Sequence, residues 1–275
     1  EVLRKLQLCE LEILKDFINI CKEHNLTYFG FAGTAIGAIR HGGFIPWDDD
    51  IDVGILRKDY NTLKEIIKKD YSDKYTFVDA EEFDDYCVMN AHIVLNGTKF
   101  TETCAKHSKF PQGIFLDIFP FDNAPKDEKE REKHIKKSWI LSKILILRHT
   151  PFPVIPFKKG IKKFLCHSAT ATIWFFMNLF GLSHKKLHNM VLKHCTKYQS
   201  EDTEYIYYSC SASMHGTVFH KDDFYPLKQI SYEGIMLDFP KNVEKGLNRV
   251  YGDFMKLPPE EKRRNHCPEE LVFLN

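Results

Sequence analysis

The stretch GTAIGAIRHGGFIPWDDDIDVGI, residues 33–55, joins a glycine-rich run to four aspartates within five positions. These are Asp48, Asp49, Asp50 and Asp52. Carboxylates this close together raise one another's pKa and destabilise a fold, unless a cation or a network of hydrogen bonds compensates their charge. The stretch therefore predicts a bound cation.

The residues around the aspartates predict two strands and a helix. LTYFGFAG (26–33) predicts a buried strand, TAIGAIRH (34–41) a short helix, and DIDVGIL (50–56) a strand of alternating polar and apolar side chains. In such a strand Asp50 and Asp52 lie about 7 Å apart on one face, while Ile51 and Val53 point to the other. Two carboxylates placed in this way suit a hard divalent cation, Mg²⁺ or Mn²⁺.

A further aspartate, Asp117, lies within the apolar run GIFLDIFPFD (113–122), which also predicts a strand. If the two strands are neighbours, Asp117 supplies a third oxygen ligand. Three carboxylates on adjacent strands could hold one or two metal ions against a phosphate chain. We therefore expect Asp50, Asp52 and Asp117 to act as metal ligands and catalytic residues.

The glycine-rich half of the stretch predicts an anion site beside the metal. Gly33 and Thr34 come where strand gives way to helix, and the backbone N–H groups of a helix N-terminus bind anions. Arg40 and His41 add positive charge nearby. These four residues are predicted to bind the phosphates of a nucleotide-linked substrate, with Asp48 and Asp49 supporting the metal ligands or holding the GGFIPW loop.

A calcium-binding loop is the alternative interpretation of the aspartates. Asp48, Asp50, Asp52 and Asp59 fall at positions 1, 3, 5 and 12 of such a loop. The pattern argues against it, because position 6 needs glycine and is occupied by Val53, and because position 12 favours glutamate.

The remaining periodicities predict an α+β protein with a mixed sheet and flanking helices. Helices are expected at 2–24, 58–70 and about 242–251, strands at 75–79, 86–95 and 98–104, and a hairpin within 224–242. Asn96-Gly97 predicts a hairpin turn between the strands at 86–95 and 98–104. The organisation divides into a core at 1–125, a mainly helical insertion at 126–200 that PFPVIPF (151–157) breaks, and C-terminal strands and a helix at 201–275 that complete the same domain.

Composition narrows the class of protein. Thirty-nine basic and 38 acidic side chains give a formal charge of +1, so no overall field favours nucleic acid as a partner. The eight cysteines are scattered, which favours buried thiols in a reducing cytoplasm over a disulfide framework or zinc site. The sequence has no uninterrupted run of about 18 apolar residues, so no membrane span is predicted. These features predict a cytoplasmic protein.

Four segments resemble the LicD family of phosphocholine transferases, which belongs to the nucleotidyltransferase superfamily and is related to fukutin-type ribitol-phosphate transferases. They are residues 33–55 with the following Asp59-Tyr60, NGTKF (96–100), GIFLDIFPFDNAP (113–125) and YGDFMKLPPEEKR (251–263). The resemblance implies a polymerase-β-like nucleotidyltransferase core. It also implies that Gly33 and Thr34 hold donor phosphate and that Asp50, Asp52 and Asp117 hold metal.

The activity implied by the resemblance is transfer of a phospho-alcohol, phosphocholine above all, from a CDP-linked donor such as CDP-choline. The acceptor would be a sugar hydroxyl of a cell-surface glycan, such as lipopolysaccharide, or of a teichoic acid precursor. Two alternatives stay open: a CTP-dependent nucleotidyltransferase that makes a CDP-alcohol, and a non-catalytic nucleotide- or glycan-binding protein.

His92 and the helical insertion each allow two interpretations. A lysine or arginine is expected in the strand before NGT, yet AHIVL (91–95) offers only His92, which could equally be a partly buried structural histidine. The helical insertion mixes lysine-rich patches with aromatic runs such as TIWFFMNLF (172–180). It either packs a second lobe or lies on anionic lipid at the inner face of the membrane, where it would meet a lipid-linked acceptor.

Overall fold

The computed structural model of the protein describes residues 1–153, 160–208, 210, 217–263 and 265–274. The described helices are α1 (Val2–Glu23), α2 (Ala32–His41), α3 (Arg57–Asp70), α4 (Glu128–His149), α5 (Ile161–Leu179), α6 (His184–Cys195), α7 (Lys221–Phe224) and α8 (Val243–Tyr251). The described strands are β1 (Tyr28–Gly30), β2 (Asp52–Leu56), β3 (Tyr75–Val78), β4 (Ala91–Leu95), β5 (Lys99–Thr101), β6 (Phe115–Ala124), β7 (Tyr205–Tyr208), β8 (Thr217–His220), β9 (Lys228–Tyr232), β10 (Ile235–Phe239) and β11 (Glu270–Val272). The predicted α+β class is confirmed.

The main sheet is mixed and contains seven of the described strands. Its central order is β1-β2-β6-β4-β3, and only the β2–β6 pairing within it is parallel. The long strand β6 continues beyond this order, so that its last residues, 122–124, pair with β7, and β8 adds to β7. Strands from both ends of the chain therefore join one sheet, with β2 and β6 side by side at its centre.

The helix α1 covers one face of this sheet. Its buried apolar side chains recur at helical spacing and include Leu6, Leu14 and Phe17, each no more than 2% exposed. They belong to the same core cluster as Ile55 of β2 and Ile118 of β6, which are fully buried. Close packing of α1 against this face of the sheet therefore holds in place the strands that carry the predicted site.

The predicted hairpin at Asn96-Gly97 is wrong, although a turn does form there, with Gly97 at φ +79°. After the turn, β5 pairs with β11 near the C-terminus and not with β4. The reason is that β4 already has a neighbour on each side, β6 and β3, so it has no edge left for β5. The hairpin predicted within 224–242 is confirmed as the antiparallel pair β9–β10.

Two predicted boundaries near the aspartates shift by two residues. The strand β2 begins at Asp52 and not at Asp50, so Asp50 lies in the segment before the strand. The helix α2 begins at Ala32 and not at Thr34, which places Gly33 and Thr34 in its first turn. Ala32 takes a φ of +41°, a left-handed value that is strained for a residue with a side chain and is common at functional sites.

The helices α4, α5 and α6 form a region with a small core of its own, which includes Leu145, Met177, Leu187 and Val191. The break predicted at 151–157 lies mostly outside the described residues, which omit 154–159. Within the described chain, no helix by itself has the length and hydropathy to span a bilayer; α5 and α6 meet that criterion only as a pair, bent by 103° at their junction. The three-part division of the chain stays a prediction.

Candidate metal centre

The parallel pairing of β2 with β6 brings the predicted aspartates together. Asp52 and Asp117 are direct partners in this pairing, and the Asp117 backbone N–H donates to the Ile51 carbonyl at 3.0 Å. Asp50 joins them from the segment before β2. One carboxylate oxygen from each of Asp50, Asp52 and Asp117 lies within 4.8 Å of the other two. The predicted convergence of the three side chains is therefore confirmed.

The first turn of α2 holds Asp52 by two hydrogen bonds. The Gly33 N–H donates to Asp52 Oδ2 at 2.9 Å, and Thr34 Oγ1 accepts the Asp52 backbone N–H at 2.7 Å. A side chain at Gly33 would crowd the carboxylates, because a Cβ there would lie 2.9 Å from Asp48 Oδ2. The positive end of α2 thus faces an aspartate of the protein, and phosphate binding by Gly33 and Thr34 stays a prediction.

Arg40 and His41 lie in the last turn of α2, about 10 Å along the helix axis from Gly33. Arg40 Nη1 donates to the Phe254 carbonyl at 2.6 Å, and its Nε donates to His41 Nε2 at 2.9 Å. The guanidinium groups of Arg40 and Arg263 lie 6.0 and 5.0 Å from the Trp47 ring. The structure thus adds Arg263 to the predicted basic pair, in a cluster around the tryptophan that precedes the aspartates.

Asp117 has two polar partners on its other side, both next to or within β4. His92 is its direct partner in the β4–β6 pairing, with Nε2 3.1 Å from Asp117 Oδ1. Asn90 Nδ2 donates to the same oxygen at 2.6 Å. The His92 ring also stacks on Phe115 at 4.0 Å between centroids, with 9° between the planes. His92 therefore belongs to the site and orients Asp117, and Asn90 is a site residue that the sequence analysis missed.

Asp49 has a different role from its neighbours. It is 1% exposed and accepts the His266 backbone N–H at 2.9 and 3.0 Å, while His266 Nδ1 lies 2.9 Å from its Oδ1. The hydrogen bond to Asp49 raises the pKa of His266 to about 10. Asp49 thus ties the C-terminal segment to the site and supplies a charged imidazolium beside it. Asp59, by contrast, accepts the Thr27 N–H from within α3, so the calcium-loop interpretation is wrong.

The chain is similar in sequence to known proteins. Residues 25–160 match the family described as LicD/FKTN/FKRP, nucleotidyltransferase domain. Over 281 aligned residues the chain is 31% identical to the lipopolysaccharide cholinephosphotransferase LicD of Haemophilus influenzae, covering 99% of this chain and 98% of that protein. The chain belongs to the LicD family. The present chain is also 30% identical to an uncharacterized protein of Rickettsia prowazekii over 112 residues, which cover 38% of this chain and 41% of that protein.

Burial and mutual repulsion raise the pKa values of three aspartates in this LicD family protein. Burial first, and then the charge of Asp117, raises the pKa of Asp52 to about 8. Burial followed by Asp50 raises the pKa of Asp48 to about 7, and burial followed by Asp52 raises the pKa of Asp50 well above its usual range. Protonation thus relieves the crowding in the absence of metal. The same oxygen-only ligand set fits a hard divalent cation such as Mg²⁺ or Mn²⁺.

A buried glutamate on α1, Glu10, lies close to the aspartates. Glu10 is 1% exposed, and its Oε2 has no hydrogen-bond partner among the residues that the structure describes. Burial, and then Asp50, raises its pKa well above the usual range. Three residues earlier, Gln7 Nε2 donates to the Asp48 carbonyl at 2.9 Å. The sequence signal for the contact between α1 and the aspartates was the presence of two polar residues, Gln7 and Glu10, on the apolar face of an amphipathic helix.

Proposed function

We propose that this LicD family protein is a divalent-metal-dependent transferase that moves phosphocholine from CDP-choline to a sugar hydroxyl of a surface glycan such as lipopolysaccharide. The observation that carries the proposal is the convergence of three carboxylates on adjacent strands. The full-length similarity to a protein named lipopolysaccharide cholinephosphotransferase supports the choice of group and acceptor. The family description supports a nucleotidyltransferase core of the polymerase-β type.

Asp50, Asp52 and Asp117 are the residues that would hold the ion, Mg²⁺ or Mn²⁺. When bound, such an ion neutralises the charge of the donor diphosphate and of the oxygen that leaves. The protein's own groups pre-position the ligands: Gly33 and Thr34 fix Asp52, and Asn90 and His92 fix Asp117. Ligands held in this way need no reorganisation during the reaction. This preorganisation is the main source of electrostatic catalysis.

The proposed reaction is an in-line displacement at phosphorus. The acceptor hydroxyl oxygen forms a bond to the phosphorus that bears choline, and the bond from that phosphorus to the bridging oxygen breaks, so CMP leaves with the electron pair. The hydroxyl proton passes to a carboxylate of the site, for which Asp117 is the candidate. The guanidinium groups of Arg40 and Arg263, around Trp47, are candidates for stabilising the phosphate of the departing CMP.

Product analysis separates the proposal from its two alternatives. The protein is incubated with Mg²⁺ or Mn²⁺ and either CDP-choline plus a deacylated lipopolysaccharide acceptor, or CTP plus phosphocholine. We expect CMP and a phosphocholine-bearing glycan from the first mixture. Pyrophosphate from the second mixture alone would make the protein a CDP-choline synthase, and no product from either would make it a binding protein.

A peripheral membrane contact through α5 is part of the same proposal. Among the described residues of α5 only Met177 is buried, while large apolar side chains are exposed at 46–74%: Ile161, Phe164, Leu165, Ile173, Phe175, Phe176 and Leu179. Lys162 and Lys163 accompany them in the first turn. Basic and aromatic side chains on one helix favour an anionic lipid surface, which is where a lipid-linked acceptor resides. A cytoplasmic location at the inner face of the membrane fits this contact.

Liposome co-sedimentation tests the membrane contact. We expect the protein to pellet with vesicles that contain anionic lipid and to stay in solution with neutral ones. The double variant Phe175→Ser and Phe176→Ser should stay in solution with both. Its matched control is Phe152→Ser, which removes an exposed phenylalanine outside α5. Absence of wild-type binding at low salt would contradict the contact and would leave the proposed chemistry unaffected.

A further inference from the structure

A cavity of about 390 Å³ opens beside the aspartates. It is bounded by the 85–90 segment, β4, the 105–113 segment and the end of α4, and Asp117 and His266 form part of its lining. The cavity is therefore continuous with the candidate metal centre. Its volume falls in the range of small-molecule sites, about 300–1,000 Å³.

Two buried polar atoms of the lining lack partners among the residues that the structure describes. They are Tyr86 Oη and Gln112 Oε1. Tyr86 is only 3% exposed, and the Gln112 amide is fixed by its Nε2, which donates to the Ala105 carbonyl at 2.8 Å. Buried polar atoms are nearly always hydrogen-bonded in native proteins. Both atoms have almost no accessible surface, so they lie within the wall of the cavity and give it polar character beneath its rings.

Aromatic rings form the walls of the cavity in two perpendicular pairs. The Tyr86 and Phe110 centroids are 5.1 Å apart with 88° between the rings, and the Phe100 and Phe115 centroids are 5.3 Å apart with 89° between the rings. Perpendicular pairs present ring faces in more than one direction. A quaternary ammonium is recognised by ring faces of this kind, within about 6 Å of a ring centroid.

The charge of the lining has the sign that suits a cation. Asp85, Glu102 and Asp117 are acidic, and no lysine or arginine occurs among the described residues that line the cavity. The imidazolium of His266 at the edge is bound to Asp49. Asp117 is also a proposed metal ligand, and Glu102 Oε1 lies 3.9 Å from His266 Nε2, so Asp85 and Glu102 are the carboxylates that a bound cation would face. A cation gains from these two carboxylates, whereas a neutral nucleobase gains little.

We propose that this cavity binds the trimethylammonium group of the donor, and so selects choline among the alcohols that a CDP-linked donor can carry. A quaternary ammonium has no N–H to donate, so ring faces and nearby carboxylates are the groups that recognise it. Its place beside Asp117 puts the alcohol next to the phosphorus that is transferred. The inference rests on the proposed function and adds to it the residues that set the substrate.

Isothermal titration with Mg²⁺ and no acceptor tests the assignment. The probes are CDP-choline, its neutral isostere in which a tert-butyl group replaces the trimethylammonium, and CMP. We expect the wild-type protein to prefer CDP-choline over the isostere by roughly 3- to 30-fold, the range of desolvated cation–π contacts. Phe110→Leu and Glu102→Gln should each bring this ratio toward one and leave CMP affinity unchanged.

Matched controls are Phe83→Leu and Glu81→Gln, which lie outside the lining and should keep the full preference. Equal wild-type affinity for CDP-choline and the isostere would overturn the inference. A parallel loss of CMP affinity in the Phe110 and Glu102 variants would also overturn it, because the cavity would then hold cytosine. In both cases CMP release from CDP-choline would continue and the proposed function would stand. A wild-type protein that neither binds nor cleaves CDP-choline would remove both.

Discussion

Buried acids at the two ends of the β2–β6 strand pair have opposite electrostatic surroundings. At one end Asp52 and Asp117 face each other, with the other aspartates around them. At the other end Asp122 of β6 receives two hydrogen bonds from Arg57, Nε to Oδ1 at 2.8 Å and Nη2 to Oδ2 at 2.9 Å, with both side chains 7% exposed or less. The Arg57–Asp122 pair balances its own charge, whereas the aspartate cluster has the single His266 imidazolium against the carboxylates of Asp48, Asp49, Asp50, Asp52 and Asp117.

This contrast separates an acid that is paired within the fold from the acids that we propose bind a metal ion. A buried carboxylate paired with a guanidinium costs little as long as both partners are present. The clustered aspartates have backbone and amide donors but face other acids, so burial and repulsion raise the pKa values of Asp48, Asp50 and Asp52. Acids placed in this way support the proposal that an external cation balances their charge.

The largest expected effect comes from Asp52→Asn. The variant keeps an acceptor for the Gly33 N–H but loses the charge of a proposed metal ligand. CMP release should fall by at least about 10³-fold, because a metal ligand contributes several kcal/mol to stabilisation of the transition state. The melting temperature without metal at pH 8 should equal or exceed that of wild type, since a repelling carboxylate is gone. CMP release at the wild-type rate would remove Asp52 from the metal centre.

The second prediction applies the same substitution at the opposite end of the strand pair. Asp122→Asn leaves the buried Arg57 guanidinium without its anionic partner. The free energy of unfolding should drop by about 3–5 kcal/mol, the usual consequence of breaking a buried ion pair, as measured by urea denaturation. CMP release per folded molecule, measured well below the urea midpoint, should stay near wild type. A catalytic loss without a stability loss would invert the comparison between the two ends.

The third and smallest effect is the dependence of stability on pH without metal. The pKa of Asp48 is raised to about 7 and that of Asp52 to about 8 in the folded protein, against about 3.9 in an unfolded chain. Between these values the folded state binds more protons than the unfolded state, so stability falls as pH rises from about 4 to 8. The melting temperature in EDTA should drop by several degrees between pH 5 and pH 8, and saturating Mg²⁺ or Mn²⁺ should reduce the drop.

Asp52→Asn is the internal control for the pH experiment, since it removes one of the titrating groups. Its drop in melting temperature between pH 5 and pH 8 should be smaller than that of wild type. A flat wild-type profile without metal would mean that the folded aspartates titrate normally. The contrast with the Arg57–Asp122 pair would then have no electrostatic basis.

Local signals were sufficient for the aspartates and insufficient for their partners. The D-x-D spacing and the lone aspartate within an apolar run identified Asp50, Asp52 and Asp117. The predicted strand frame holds for Asp52 and Asp117, whereas Asp50 lies before β2. Asn90 reaches Asp117 across 27 positions, and His266 reaches Asp49 across 217. The Asn96-Gly97 turn shows the limit of local signals, since the turn formed but β5 had no free edge of β4 to join.

The sequence by itself determined the family, the α+β class and the three acids that converge, because these follow from spacing and side-chain chemistry along short stretches. The tertiary structure alone decided which donors hold those acids, where Glu10 and His266 lie, and that an aromatic, acidic cavity adjoins Asp117. The physical reason is that a buried charge is stabilised or destabilised by every group within a few ångströms. Only the packing of strands from both ends of the chain brings those groups into range.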